Sequence, residues 1–317
     1  MLNHKYKKQR ISVSFILVLA SLGIGSTLLV ADQIKKPIKQ HEQQESTNKN
    51  NELPMDNVQN DEESQEIEEQ PVVTKEPEKE SVQYIGTNEE GKKYSYDAAK
   101  ITDKLKHYDY SNEGEKIVFL TFDDGASTTV TPQILKTLDE YDVKATFFVV
   151  GNTIENGGEE AKALIKEEFD KGHAIANHSY SHDYHVLYPE RSLNLNQFLA
   201  DFKKTDELLK DILGENFSTR VIRCPGGYNS WNNMEPLEVY LQENNIVSID
   251  WNVLNRDAEG RKKDADELIQ NVTADVGDKE IVVVLMHDTY GKEETAKALP
   301  QVIQYFKDNG YEFKTLV

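Results

Sequence analysis

Seven short apolar runs alternate with stretches of helical spacing between Lys116 and Leu316, and this alternation limits the chain to one broad class of fold. Residues 116–121, 144–151, 173–177, 220–223, 246–251, 281–286 and 311–316 read as strands. Between them, 131–141, 159–171, 195–213, 235–244, 265–276 and 293–309 carry apolar residues at helical intervals. Gly172, Gly214 and Gly310 stop three of those helices. Strands separated by helices and short loops pair in parallel, which makes the folded part α/β. An open doubly wound sheet and a barrel share that pattern. Polar residues decide between them: Asp123-Asp124, His178, Arg223, Asp250 or Asp257, and His287 follow strand ends all along the chain. Barrels collect functional groups from many strand ends at one face. The expected architecture is therefore a distorted (β/α) barrel of about seven parallel strands.

The region upstream is of a different kind. A basic tail (1–10, with Lys5, Lys7, Lys8 and Arg10) precedes 21 uncharged residues, Ile11 to Ala31. At 1.5 Å per residue that run reaches roughly 30 Å, the thickness of a bilayer core. Its exit, Leu29-Val30-Ala31-Asp32, fits a small-x-small cleavage site poorly, so an uncleaved signal anchor is expected, with secretion following if it is cleaved. Residues 32–95 are expected to be a disordered linker. From His41 to Glu90 the chain has 15 Asp and Glu against three Lys, too polar to offset the entropy of ordering. A transitional segment (96–114) leads into the catalytic domain (115–317). The net charge of −20 argues against nucleic acid as a partner. A monomer is expected, with its domain outside the cytoplasm and the membrane met through the N-terminal helix. The lone Cys224 excludes an intramolecular disulfide and reads as packed.

Two pairs carry the chemistry. Thr121-Phe122-Asp123-Asp124-Gly125 closes one strand, and His178-Ser179-Tyr180-Ser181-His182 follows another. An acid pair before glycine alone is usually a turn. Beside two histidines four residues apart, a spacing that brings both to one face of a helical turn, it becomes a candidate metal site with one carboxylate to spare. His185 has helical spacing to His182 and competes as a ligand.

Residues from about 115 to 317 resemble the polysaccharide deacetylases, the NodB-homology carbohydrate esterases. The two strings above match the first two motifs of that family. Arg223-Cys224-Pro225-Gly226-Gly227 looks like the third, Asp250 to Ala258 like a variant of the fourth, and Leu285-Met286-His287-Asp288 like the fifth. The resemblance implies Asp124, His178 and His182 as ligands of a divalent metal, zinc first, with cobalt, manganese or iron as alternatives. It implies Asp123 as general base, Arg223 as its partner, and His287 as general acid. Asp257 is implied to hold His287, with Asp250 as the alternative. The amide near Gly226 would face the oxyanion, and Leu285 would line an acetyl pocket. Many relatives carry an aromatic where Gly226 stands, and Asp257 is followed here by Ala258 rather than tryptophan. Tyr228 and Trp231 are offered as a sugar platform instead.

The implied activity is hydrolysis of N-acetyl groups on N-acetylglucosamine residues of an extracytoplasmic polymer, peptidoglycan above others. Chitin oligomers, poly-N-acetylglucosamine and acetylxylan are alternative substrates, and a catalytically weak wall-binding module is an alternative role. A serine hydrolase lacks its Gly-x-Ser-x-Gly.

Overall fold

The computed structural model describes residues 82–317. The expected basic tail, the anchor and most of the acidic linker lie outside them. Among the described residues no helix is long and apolar enough to cross a membrane.

The elements are, in order, β1 (Tyr84–Ile85), β2 (Ser95–Tyr96), α1 (Ala98–Lys106), β3 (Ile117–Asp123), α2 (Thr131–Glu140), β4 (Thr146–Val149) and α3 (Gly151–Asp170). Then come β5 (Ala174–Asn177), α4 (Tyr184–Leu187), α5 (Leu195–Leu213), β6 (Phe217–Ser218), β7 (Val221–Ile222), α6 (Glu235–Glu243), β8 (Val247–Ser248) and β9 (Val253–Leu254). The chain closes with α7 (Ala265–Val276), β10 (Ile281–His287), α8 (Glu293–Asp308), β11 (Glu312–Phe313) and β12 (Thr315–Leu316). The main sheet runs β8-β7-β5-β4-β3-β10-β9, all parallel, with β11 paired to the start of β3. Its end strands, β8 and β9, do not pair, so the expected barrel is an open half-barrel of seven strands.

Several elements differ from expectation. The last expected strand splits: β11 joins the main sheet, and β12 pairs with β2 instead. The two-residue β9 takes the seventh place in the sheet. Helix α3 begins eight residues early, because its glycine-rich start is a separate helical turn joined across a kink at Gly158 (φ 64°). The linker expected to reach 95 ends sooner. Within it β1 pairs with β6, the Thr87 hydroxyl donates to the His173 carbonyl at 2.9 Å, and the Asn88 amide donates to the Phe169 carbonyl at 2.7 Å. The transitional segment holds α1, whose Ala98 and Ile101 are buried inside the half-barrel.

Strand alternation sorts two cores. Val118, Leu120 and Phe122 of β3, with Val282, Val284 and Met286 of β10, face the helices. Ile117 and Phe119, with Ile281 and Val283, face the half-barrel interior. Burial on both faces explains why these strands read as continuous apolar runs. Continuing the inward set to the strand ends gives Thr121 and Asp123 on β3, Leu285 and His287 on β10. The ladder pairs Ile281 with Ile117 and ends with His287 directly beside Asp123.

Candidate active site

Two consecutive acids at the end of β3 part company. Asp123 continues the inward set and is only 2% exposed. Asp124 takes a left-handed conformation (φ 71°), secured by its amide, which donates to the Phe148 carbonyl at 3.1 Å. Such a backbone is uncommon for a residue other than glycine and is retained where the surroundings over-determine it.

The histidines come from the end of β5. The expected helical turn is absent there: Ser179 and His182 both have positive φ (74° and 49°), and residues 178–182 form a bent loop. Side chains brace it. The Asp201 carboxylate accepts from the amides of Tyr180 and Ser181 at 2.6 and 3.0 Å, and the Ser179 hydroxyl accepts from the His182 amide at 3.1 Å. The loop still brings both rings to Asp124. Nε2 of His178 lies 3.5 Å and Nε2 of His182 lies 3.4 Å from Oδ1 of Asp124.

This trio fits a metal. One donor atom from each residue lies within 4.8 Å of the other two. Ligand bonds of about 2.0–2.2 Å around one tetrahedral ion put donor atoms roughly 3.3–3.6 Å apart. Oδ1 of Asp124 is buried without a hydrogen-bond partner, a cost that a bound cation would remove. Nδ1 of His178 lies 2.8 Å from the Arg223 carbonyl, which can only accept, so that nitrogen carries the proton and Nε2 is left as a lone-pair donor. Burial first, and the neighbouring His182 second, push the His178 imidazole down to about 3, which keeps it neutral. His185, the competing ligand, is exposed and outside the trio.

Arg223 follows β7 and is fully buried. Its Nη1 donates to Oδ1 of Asp123 at 2.7 Å and to the Thr121 hydroxyl at 2.8 Å, and its Nε donates to the Ile249 carbonyl at 3.0 Å. Its guanidinium lies 3.9 Å from the centre of the Phe148 ring. Burial pushes the Asp123 carboxyl above its ordinary value, and the charge of Arg223 pulls against that. The result is a desolvated carboxylate with one oxygen tied to Arg223. The other, Oδ2, lies 3.6 Å from Nε2 of His178.

Across the ladder, Asp257 is the partner of His287. Oδ1 lies 2.7 Å from Nδ1 of His287, while Oδ2 accepts from the His287 amide at 2.9 Å and from the Thr295 hydroxyl at 2.7 Å. Burial would lower the imidazole, but the hydrogen bond and charge of Asp257, with the charges of Asp124 and Asp123, raise it to about 9. Asp250, the alternative, instead accepts from the Tyr228 amide at 3.0 Å.

A cavity of about 250 Å³ joins these groups, with Gly226 and Leu285 in its lining. Tyr228 and Trp231 are outside that lining, contrary to the expected platform. Trp231 stacks on Tyr188 (4.1 Å between centroids, 6° between planes), and its indole donates to the Pro225 carbonyl at 2.9 Å. The Tyr228 hydroxyl donates to the Met234 carbonyl at 3.2 Å. Both rings pack a side core. The aromatics that line the cavity are Tyr184 and Trp251. Neither was singled out from the sequence, although each lies beside a residue that was, His182 and Asp250. Cys224 is buried, and that burial pushes its thiol up to about 12, as a packed residue requires.

A half-barrel with a trio compatible with a metal, a buried carboxyl and a raised imidazole at its strand ends is an arrangement suited to hydrolysis. The sequence model of the polysaccharide deacetylase family matches residues 110–238. A peptidoglycan-N-acetylglucosamine deacetylase of Bacillus cereus is 30% identical over 209 residues, covering 65% of this chain and 71% of that protein. The peptidoglycan-N-acetylglucosamine deacetylase PgdA of Listeria monocytogenes is 32% identical over 202 residues, covering 63% of this chain and 38% of that protein. Among solved structures, a CE4 esterase from Streptococcus mutans aligns with a TM-score of 0.67 at 36% identity, over 74% of this chain and 98% of that one. The chain belongs to the polysaccharide deacetylase family and carries a deacetylase hydrolase domain.

Proposed function

We propose that the chain removes the N-acetyl group from N-acetylglucosamine residues of peptidoglycan, outside the cytoplasmic membrane, with a divalent metal held by Asp124, His178 and His182. The observation that carries this reading is the register that sets Asp123 beside His287 at the edge of the ligand trio. Relatives named as peptidoglycan-N-acetylglucosamine deacetylases support the substrate. The apolar run 11–31 and the acidic stretch after it support a tether that presents the domain to a fixed polymer. Zinc suits a two-histidine, one-carboxylate set.

A bound metal there supplies Lewis acidity, making water more acidic and polarising the acetyl carbonyl. The chain's own residues do the rest. Asp123, held by Arg223, takes the proton from the attacking water. Gly226 and Leu285 line the cavity; in this reading the Gly226 amide donates to the oxyanion and Leu285 borders the acetyl methyl. His287, its other nitrogen committed to Asp257, delivers a proton to the departing sugar nitrogen, which is too basic to leave as an anion. One water and one amide become acetate and a free amine.

Acetate release from peptidoglycan, chitooligomers and acetylxylan, each with chelator and metal add-back, tests the reading. Release from the amino-sugar polymers that stops with chelator and returns with zinc is expected. Release from acetylxylan alone would replace the substrate, and full activity in chelator would remove the metal from the mechanism.

A further inference from the structure

One aromatic side chain of the cavity has no part in the chemistry above. Tyr184 is the first residue of α4, a single turn capped by Asp183, whose carboxylate accepts from the His185 amide at 2.8 Å. Its ring centroid is 5.4 Å from that of His182 and 5.1 Å from that of Trp231. It is 42% exposed, although its ring is braced on two sides, one of them a half-buried candidate ligand.

Gly226 explains why the ring fits. A Cβ there would lie 3.1 Å from Trp231 and 3.4 Å from the Tyr184 hydroxyl, and φ of 78° disfavours any side chain. Tyr184 and the bare backbone of Gly226 line the same cavity side by side. The hydroxyl has no protein hydrogen-bond partner among the described residues and stands over the backbone that would meet the substrate's acetyl group. An amphipathic ring, apolar in body and polar at the tip, beside a one-sugar cavity is the chemistry that packs a pyranose face and bonds its hydroxyls.

We propose that Tyr184 is a substrate-positioning residue: its ring walls the amino sugar over the Gly226 amide, and its hydroxyl hydrogen-bonds to it. This rests on the deacetylase reading above. It is consistent with a bare backbone at 226, where φ of 78° disfavours a side chain and a Cβ would crowd Trp231 at 3.1 Å while meeting the Tyr184 hydroxyl at 3.4 Å.

The test uses Tyr184→Phe and Tyr184→Ala in the full chain with tri-N-acetylchitotriose. Acetate release, binding by calorimetry and metal content per chain are measured together. Tyr184→Ala is expected to lower kcat/KM and weaken binding by roughly tenfold to a hundredfold, mostly through KM, with metal content unchanged. Tyr184→Phe should lose roughly threefold to tenfold, the range of one hydrogen bond. Unchanged kcat/KM and affinity in Tyr184→Ala would overturn the proposal. So would loss of metal from that variant, which would make Tyr184 a prop for His182. If the unaltered chain binds the trisaccharide without releasing acetate, the deacetylase reading fails, and weaker binding by Tyr184→Ala still sustains the proposal. If it does not bind at all, both fall.

Discussion

The ends of β3 and β10 stand side by side in one ladder and solve opposite problems by the same device. At β3 an acid, Asp123, is buried against a cation, Arg223. At β10 a base, His287, is half-buried against an acid, Asp257. In each case the group at the strand end faces the cavity, and its partner, carried on another segment, holds the far atom. Burial raises the carboxyl at β3, making it a better proton acceptor. At β10 the partner's charge overcomes burial and raises the imidazole to about 9, keeping a proton available at neutral pH. The lesson is that neighbouring titratable groups diverge according to which effect wins, burial at β3 and the partner's charge at β10.

The sharpest way to break the comparison is to remove what both ends serve. His178→Ala should empty the metal site and abolish acetate release, read by metal analysis beside activity; a variant that stays active without metal would void the shared centre. Next, Asp123→Asn and His287→Ala should each lower kcat by roughly 10²–10⁴-fold while metal content holds. An order-of-magnitude difference between two fully metallated variants would show that one end matters more than the other. Arg223→Ala leaves Asp123 buried and unpaired, which costs about 3–5 kcal/mol of stability, seen as a lowered Tm. A shift as small as that of a surface substitution would mean that water reaches Asp123.

The smallest effect concerns pH. His287 has a raised value, so its charged form, and the stability it shares with Asp257, is fully present below about 6.5 and lost as pH rises through about 9. The alkaline limb of the rate should follow that loss. Asp257→Asn removes the leading upward causes, so the limb should move from about 9 toward the ordinary 6.5, with little change at pH 6. A limb that stays in place would assign the proton to another group.

How much of this was legible beforehand follows from how local each feature is. Helices α5 and α7 begin and end as the sequence predicts, since their stops are written in one or two residues. Asn194 and Gly214 bound the first, and a capping box of Asp264 and Glu267 opens the second. The strand-end strings were readable for the same reason. Strand β9 was not, because two residues, Val253 and Leu254, show no period. The early start of α3 is hidden because Gly151 closes the expected strand 144–151 and Gly157 and Gly158 weaken a helical pattern. The histidine loop shows the limit of spacing arguments: a separation of four suggested a helical turn, and two left-handed residues bring the rings together instead. For Tyr228 and Trp231 the sequence does not say which side loop aromatics pack on, and both lie outside the lining of the cavity that holds the trio. Tyr184 escaped because its place depends on a missing side chain 42 positions away, at Gly226.

The in-register pairing of Ile117–Asp123 with Ile281–His287 has a consequence for quality control. The same interdigitation that stabilises the interior also spaces Asp123 from His287, the proposed proton acceptor and donor. Sliding one strand by a single residue would turn Phe122 or Met286 inward and carry its catalytic end away from its neighbour. A molecule with that error would be silent as well as unstable. If Asp123 and His287 act as proposed, turnover reports whether the two central strands have docked in this register.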